Sequence, residues 1–500
     1  MSEPEEGASE SPGLHRKVTF AFSGTMVIVL FDRAIQIGIM AVLARALAPS
    51  AFGVLTASMV FVSSLTLLSQ MGVGAVLIQA PKLDERLQAV AQASVFLTGV
   101  AAFAIAQLGA PLIGGWFRTP YVVDVIRVLG LSCLMQAAMT IPSALLMRQL
   151  RARTLSLIDL IASAFGMGVV AVPMAISGFG YWALIGGALT QTGLRTAMLW
   201  ALARPSMRMV FSLSELLALW RRGSGFLLNN VLNKIGAEGD RWIVGRYAGS
   251  AHLGLYSKAS GLMTFPARLY NAAIDRVAFP AFARVQTEAT RMRRAYAEAL
   301  SLTALVGLPL TAALVFLGPR VILLLLGAKW IGAIVPFKIL SLAIYFRLAD
   351  RANISLLKGA GRPLLVSAAQ ALYGLLVISL SALFIHRGIE AVAWAVALSA
   401  VVVNATFTTL AVRTTRLPLR ALIPAHLPGV AAALLTIAVL APITWVANTL
   451  GWPPFPTLVA GGAALAATGL LALYIAPRLF LGEAGLRVLR VFAPAFVASR

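Results

Sequence analysis

Apolar runs of about 20–30 residues follow one another along nearly the whole chain, each closed by a short basic, glycine-bearing or proline-bearing break. A helix that crosses a bilayer needs about 20 mainly apolar residues, and in lipid it must satisfy its backbone hydrogen bonds internally. On that spacing, helical spans are expected near 22–45, 53–79, 90–115, 122–146, 156–177 and 180–203. A second series is expected near 225–247, 251–282, 296–317, 331–357, 363–386 and 389–412, and two further spans near 426–447 and 456–477. The pattern predicts an all-α polytopic membrane bundle of about 14 transmembrane helices.

Charge supports the spacing. If the N-terminus is cytoplasmic, the inner connections carry basic clusters such as Arg148, Arg151 and Arg153, or Arg413, Arg416 and Arg420. The outer ones mostly carry a single base, such as Arg45, Arg246 or Arg387. That asymmetry is the positive-inside pattern, and it places both termini in the cytoplasm. A cleaved signal peptide is not expected, because the first residues carry Glu3, Glu5, Glu6 and Glu10 where a basic segment belongs.

Composition sharpens the class. Only 12% of the 500 residues are charged, against about 25% in soluble domains, and mean hydropathy is +0.87. The formal net charge of +23 would suggest nucleic acid for a soluble chain, but here the bases sit in breaks between spans and set topology, so no nucleic-acid partner is expected. The single cysteine, Cys133, excludes a disulfide within the chain, and His15, His252, His386 and His426 are too scattered for a metal site. No G-x-x-x-x-G-K-[ST] run is present, so no Walker-type nucleotide site and no catalytic residue are expected. Gly178-Phe179-Gly180 reads as a tight outer turn.

A shift of 201 residues overlays the first span on the seventh: Asp32-Arg33 falls on Asn233-Lys234, Gly38 on Gly239, Arg45 on Arg246 and Gly53 on Gly254. The chain is therefore divided into a disordered cytoplasmic N-terminus (1–17), a six-helix N-lobe (18–203) and a basic connection (204–224). A six-helix C-lobe (225–412) follows, then a second basic connection with two extra helices (413–477) and an amphipathic cytoplasmic tail (478–500). Parallel repeats of this kind place a substrate site between the halves near mid-membrane.

Charges inside spans are costly, about 2.5–3.5 kcal/mol each at the helix centre, and should face the bundle interior. The seventh span is the most polar, with Asn229, Asn230, Asn233, Lys234, Glu238, Asp240 and Arg241. The first adds Asp32 and Arg33, and the eighth Arg268. In one reading Arg33, Lys234, Arg241 and Arg268 line a cationic cavity for an anionic head group, since guanidinium forks match phosphate. The three asparagines would then add neutral hydrogen-bonding groups to its wall, and Asp32 or Glu238 would be the candidates for H+ or Na+ coupling, with no cofactor. In the competing reading Asp32–Arg33, Lys234–Glu238 and Asp240–Arg241 are local neutralising pairs that hold the bundle together.

The run VLARALAPSAFGVLTASMVFVSSLTLLSQMGVGAVLIQ resembles the opening of Wzx-type polysaccharide flippases of the lipopolysaccharide or colanic-acid exporter branch. GDRWIVGRYAGSAHLGLYSKAS, IDRVAFPAFARVQ and LLLGAKW follow in that family's order. The resemblance implies the multidrug/oligosaccharidyl-lipid/polysaccharide exporter fold, with two six-helix lobes around a central cavity. It implies an undecaprenyl-diphosphate-linked oligosaccharide as cargo in a bacterial inner membrane, with membrane lipids and the polysaccharide polymerase machinery as partners. Asp240 and Arg246 match the family's Asp and outer Arg, while the loop Pro49-Ser50-Ala51-Phe52-Gly53 lacks both of its usual acids. The alternatives are a cation-coupled multidrug or small-solute exporter of the same superfamily, a membrane-embedded polymerase or ligase for the same lipid, and a structural scaffold.

Overall fold

In a computed structural model, the backbone is described for residues 12–286 and 288–492. Side chains are described for these except 12–26, 226, 229, 268–269, 271–273, 275–281, 483 and 487–492. Among the described residues there is no strand. The helices are α1 (Pro12–Ala46), α2 (Pro49–Gln70), α3 (Val73–Gln79), α4 (Glu85–Phe117), α5 (Tyr121–Leu129), α6 (Leu131–Arg148), α7 (Ala152–Ser163), α8 (Val172–Ile176) and α9 (Tyr181–Ala203). They continue as α10 (Leu213–Arg284), α11 (Ala289–Leu325), α12 (Ile334–Leu342), α13 (Ile344–Gly359), α14 (Pro363–Phe384), α15 (Ile389–Thr415), α16 (Leu422–Thr449), α17 (Pro454–Ile475) and α18 (Pro477–Phe492).

Eleven spans among the described residues are long and apolar enough to cross a membrane. Two long helices fall outside that set: α9, which carries Thr190, Gln191, Thr192 and Arg195, and α10, which carries charges along its length. Large apolar side chains point outward throughout, among them Leu108, Leu364 and Leu470 at 81%, 83% and 70% exposure. No water-soluble protein could present so much apolar surface. The chain is a multi-pass helical membrane protein.

Several expected boundaries move. The helix starts at Pro12, a residue suited to the first helical position because it has no N–H to leave unpaired, so 12–17 is not an irregular tail. The expected span 53–79 breaks at Met71 and Gly72, both with positive φ, and 122–146 divides at Gly130 between α5 and α6. The stretch Pro49–Gly53 is the first turn of α2 and not a loop, again with proline leading. The basic connection 204–224 is helical from Leu213 and runs without interruption into the seventh span.

The described residues form two compact units. The first comprises the residues up to Leu47, Phe61–Ile113 and Tyr121–Leu228. Its core joins Val73, Leu77, Val90, Val95 and Ile141 to Leu216 and Leu219 of α10. The start of α10 is held there by Trp220, whose Nε1 donates to Ser94 Oγ at 2.8 Å, and by the Arg86–Glu215 ion pair at 2.6 Å. Arg148 donates to the carbonyls of Leu77, Ile78 and Ala80 and so caps α3. Between α7 and α8 the chain is π-helical over Ala164–Ala171, and Gly166 there lies against Gly187 of α9. Such wide turns gather at functional positions.

The second unit comprises Ala48–Val60, Gly114–Pro120 and the described residues from Asn229 onward. Within it α10 kinks at Gly249, whose φ of 80° an L side chain rarely adopts. Gly236 and Gly239 let α10 settle on Tyr373 and Ile378 of α14, the close small-residue packing that substitutes for the hydrophobic effect in lipid. Helices α16 and α17 pack beside α11, with Gly429 against the backbone of Ala304 and Gly461 against Leu317. An apolar cavity of about 350 Å³ opens among α11, α16, α17 and α18.

Candidate functional site

In the first unit, α1 delivers Asp32 to the interior, where it is 6% exposed. Gln36, one turn on, donates its amide to both carboxylate oxygens at 3.0 and 2.9 Å, and Ser163 Oγ donates to Oδ1 at 2.7 Å. Arg33 is exposed and donates to Gln36 Oε1 at 2.8 Å. Asp32 and Arg33 are thus bridged by a neutral amide and do not form the expected ion pair. Adjacent positions on a helix point about 100° apart, which explains why the pair does not close.

Sequence reasoning missed one ion pair in this unit. Arg195 of α9 meets Asp159 of α7, with Nε 2.7 Å from Oδ1. Each is the lone charge in an otherwise apolar expected span, and that signal, one acid and one base in consecutive spans, was available. Asp159 also stands one turn before Ser163, so α7 presents both to one side.

In the second unit, α10 brings together Lys234, Glu238 and Arg241. Lys234 Nζ lies 2.7 Å from Glu238 Oε2, and Arg241 NH1 reaches Glu238 Oε1 at only 4.0 Å. All three side chains are about one-fifth exposed, at 18–21%. The Nε of Arg241 is buried without a hydrogen-bond partner among the described residues. One carboxylate therefore serves two cations, and the Arg241 guanidinium keeps an unused donor among the described residues. Asn230 and Asn233 are exposed on the same helix, and the side chains of Asn229 and Arg268 lie outside the described residues.

Asp240 plays a different part. It is 5% exposed, its Oδ1 accepts the backbone N–H of Arg241 at 2.8 Å, and its Oδ2 accepts the hydroxyl of Tyr256 at 2.7 Å. Tyr256 lies beyond the kink, so this bond ties the two arms of α10 together. The expected Asp240–Arg241 side-chain pair is not formed. Arg246 donates to the carbonyls of Gly115 and Trp116 at 3.2 and 2.7 Å and lies over the Trp116 ring, so it caps α4.

Further polar side chains join α13 to its neighbours. Arg347 donates to Tyr373 Oη at 2.6 Å, Asn404 donates to Asp350 Oδ1 at 2.9 Å, and Tyr296 donates to Asn353 Oδ1 at 2.6 Å. Among the described residues no group of three or more His, Cys, Asp or Glu could hold a metal ion.

The fold and these intramembrane polar clusters define a class, the polytopic all-helical membrane proteins that carry polar groups inside their spans. The architecture aligns over 90% of this chain with 98% of the lipid II flippase MurJ in an inward closed conformation, at a TM-score of 0.71 and 13% identity. It also aligns over 78% of this chain with 98% of an inward-facing multidrug resistance MATE family transporter, at a TM-score of 0.61 and 11% identity. At such identities the likeness concerns the fold alone. The chain belongs to the polysaccharide biosynthesis protein family, whose pattern matches residues 42–335. It is 29% identical over 341 residues to the teichuronic acid biosynthesis protein TuaB of Bacillus subtilis, covering 66% of this chain and 69% of that protein. It is 27% identical to the succinoglycan biosynthesis transport protein ExoT of Rhizobium meliloti, covering 64% and 65%. It is 26% identical to the lipopolysaccharide biosynthesis protein WzxC of Escherichia coli, covering 59% and 60%. The matched segments thus span about two-thirds of these relatives.

Proposed function

We propose that the protein is a flippase that carries an undecaprenyl-diphosphate-linked oligosaccharide from the cytoplasmic to the outer leaflet of a bacterial inner membrane. Its spans number about fourteen when α9 and the two arms of α10 are counted with the eleven apolar ones. Both termini are cytoplasmic by the distribution of bases. Two six-helix lobes rock about a central site, so that it opens to one side at a time.

The observation that carries this reading is the arrangement on α10. Lys234 and Arg241 share Glu238, and the Arg241 Nε keeps an unused donor, while the nearby Asp240 is fully occupied by Tyr256 and by backbone. A diphosphate offers what the Arg241 guanidinium lacks, further strong acceptor oxygens. The exposed Arg33, hydrogen-bonded to the neutral Gln36 amide, is a second such donor. Asn230, Asn233 and Asn229 supply hydrogen bonds for sugar hydroxyls, and Asp32 and Glu238 are the carboxylates available for H+ or Na+ coupling. The fold is shared with multidrug exporters, so the choice of cargo rests on these cations and on family membership.

The test is to purify the protein into liposomes holding fluorescent lipid-linked oligosaccharide and to follow its transfer between leaflets. Transfer abolished by replacing Arg33, Lys234 and Arg241 together with Gln is expected. Equal transfer with and without the protein would remove the flippase assignment.

A further inference from the structure

The ion pair between Asp159 of α7 and Arg195 of α9 lies inside the membrane and yet stands open. Both residues are about two turns in from the basic ends of their helices, roughly 11 Å along the axis. The side chain of Asp159 is 46% exposed and that of Arg195 33%. A charge facing lipid is costly, so this exposure has to be to water. The rest of α7 agrees. Its exposed apolar side chains Leu157 and Ile161, with Phe165 just beyond, form one stripe, and at about 100° per residue Asp159 lies nearly opposite it. The acid therefore looks into a wet recess of the first unit, not into the bilayer.

The pair is not needed to hold the two helices together. A Cβ on Gly166 would stand 2.5 Å from the backbone nitrogen of Gln191 and 2.6 Å from the carbonyl oxygen of Gly187. The π-helical stretch after α7 and α9 thus already meet backbone to backbone. That contact fixes the geometry and leaves the pair half used. Arg195 Nε and Asp159 Oδ1 meet at 2.7 Å, while Asp159 Oδ2 and the two terminal nitrogens of Arg195 make no hydrogen bond among the described residues. Gln191, one turn from Arg195 on the same face, is half-buried, and its amide is also unused among the described residues.

An acceptor and a fork of donors therefore stand side by side. The other charges that act on Asp159 are Asp32 and Arg33 of α1, so the four groups sum to zero. Such a recess favours neither a free anion nor a free cation. It suits a neutral ligand that donates and accepts at adjacent atoms, as neighbouring hydroxyls of a sugar ring do: one donates to the carboxylate and the next accepts from the guanidinium.

We propose that Asp159, Arg195 and Gln191 form a subsite of the first unit that reads a neutral sugar of the cargo. This rests on the transport reading above, and it gives the sugar charged partners where the α10 asparagines offer only neutral ones.

The test compares two lipids, undecaprenyl diphosphate carrying a neutral hexose oligosaccharide and undecaprenyl diphosphate alone. Affinity of the purified protein and transfer in liposomes are measured for each. The parent is expected to bind the glycosylated lipid about tenfold more tightly than the bare one. Asp159→Asn combined with Arg195→Gln should bring that ratio close to one. Arg195→Lys, which keeps the ion pair but has no second nitrogen, should lose most of the preference at an unchanged melting temperature. A preference that survives both variants, or is absent from the parent, would overturn the subsite. Equal weakening toward both lipids would do the same, since it marks a pair that only holds the fold. Protein that binds with the expected preference but transfers neither lipid would lose the flippase assignment and keep the subsite. Transfer of the glycosylated lipid by a parent with no binding preference would do the reverse.

Discussion

The polar cluster on α1 and the one on the first arm of α10 include residues that a shift of 201 positions overlays, yet their charges are used in opposite ways. On α1 the acid is the buried centre: Asp32 is held by Gln36 and Ser163, both neutral, and the base beside it faces outward. On α10 the acid Glu238 is only half-buried and is drawn between two bases, while the structural role of a buried acid passes to Asp240. A carboxylate whose oxygens are taken by neutral donors offers nothing to a ligand. A carboxylate shared by two cations can be displaced by an incoming anion, because the cations stay satisfied. The first cluster thus reads as a staple with one exposed arginine bonded to a neutral amide, and the second as a place where a phosphate can exchange for Glu238.

The largest effects should come from the two buried acids. Asp240→Ala leaves the fully buried Tyr256 hydroxyl without its acceptor, and Asp32→Ala leaves the Gln36 amide without its acceptor while Ser163 keeps the Leu160 carbonyl. Each orphaned buried group costs about 1–3 kcal/mol. Melting in detergent should fall for both and further for Asp240→Ala, since Gln36 can turn toward the exposed Arg33 side and Tyr256 has nowhere to go. Equal melting temperatures would erase the distinction between the two acids.

Next come the cations. Arg241→Gln removes charge-assisted bonds worth about 1.5–3 kcal/mol to an anionic cargo, a loss of roughly ten- to a hundredfold in flipping. Arg33→Gln should cost less, and neither should shift the melting temperature by much. If instead Arg33→Gln unfolds the protein while Arg241→Gln leaves flipping untouched, the roles of the two clusters are reversed.

A smaller effect is expected from Ser163→Ala, which removes one of three hydrogen bonds to Asp32, about 1 kcal/mol in melting with flipping retained. The smallest belongs to the exposed Arg86–Glu215 pair at the start of α10. The hydrogen bond from Arg86 holds the Glu215 carboxyl below its ordinary value. A lowered folded value means that the pair's contribution is present at neutral pH and disappears as pH falls below the ordinary carboxylate range. Glu215→Gln should therefore differ from the parent at pH 7 and match it near pH 3, with added salt also shrinking the difference.

Much of the candidate site was visible in the sequence, because burying charge in lipid is costly enough to single out residues such as Asp32, Lys234, Glu238 and Asp240 without any coordinates. The partners were less visible. Asp32 and Arg33 are neighbours in the chain, yet Gln36 and Ser163 do the pairing; Asp240 and Arg241 are neighbours too, yet Tyr256 does it. Asp159 and Arg195 each looked isolated until α7 and α9 were placed side by side. Adjacency along a helix separates side chains, and only packing between helices decides which ones meet.

The helical, membrane-embedded character and the series of spans were determined by the sequence alone. Apolar run length and the need to satisfy every backbone group in lipid leave almost no other solution. The repeat shift was also written there, as a weak correspondence of glycines and charges. The tertiary structure decided that two of those corresponding positions, Gly53 and Gly254, come into direct backbone contact, and that α10 bends at Gly249 so that Asp240 can reach Tyr256. The physical reason is that lipid rewards any apolar helix surface alike, so composition says which segments are buried in the membrane but not which faces touch. That choice falls to close shape matching at small residues and to the few polar groups that must find each other.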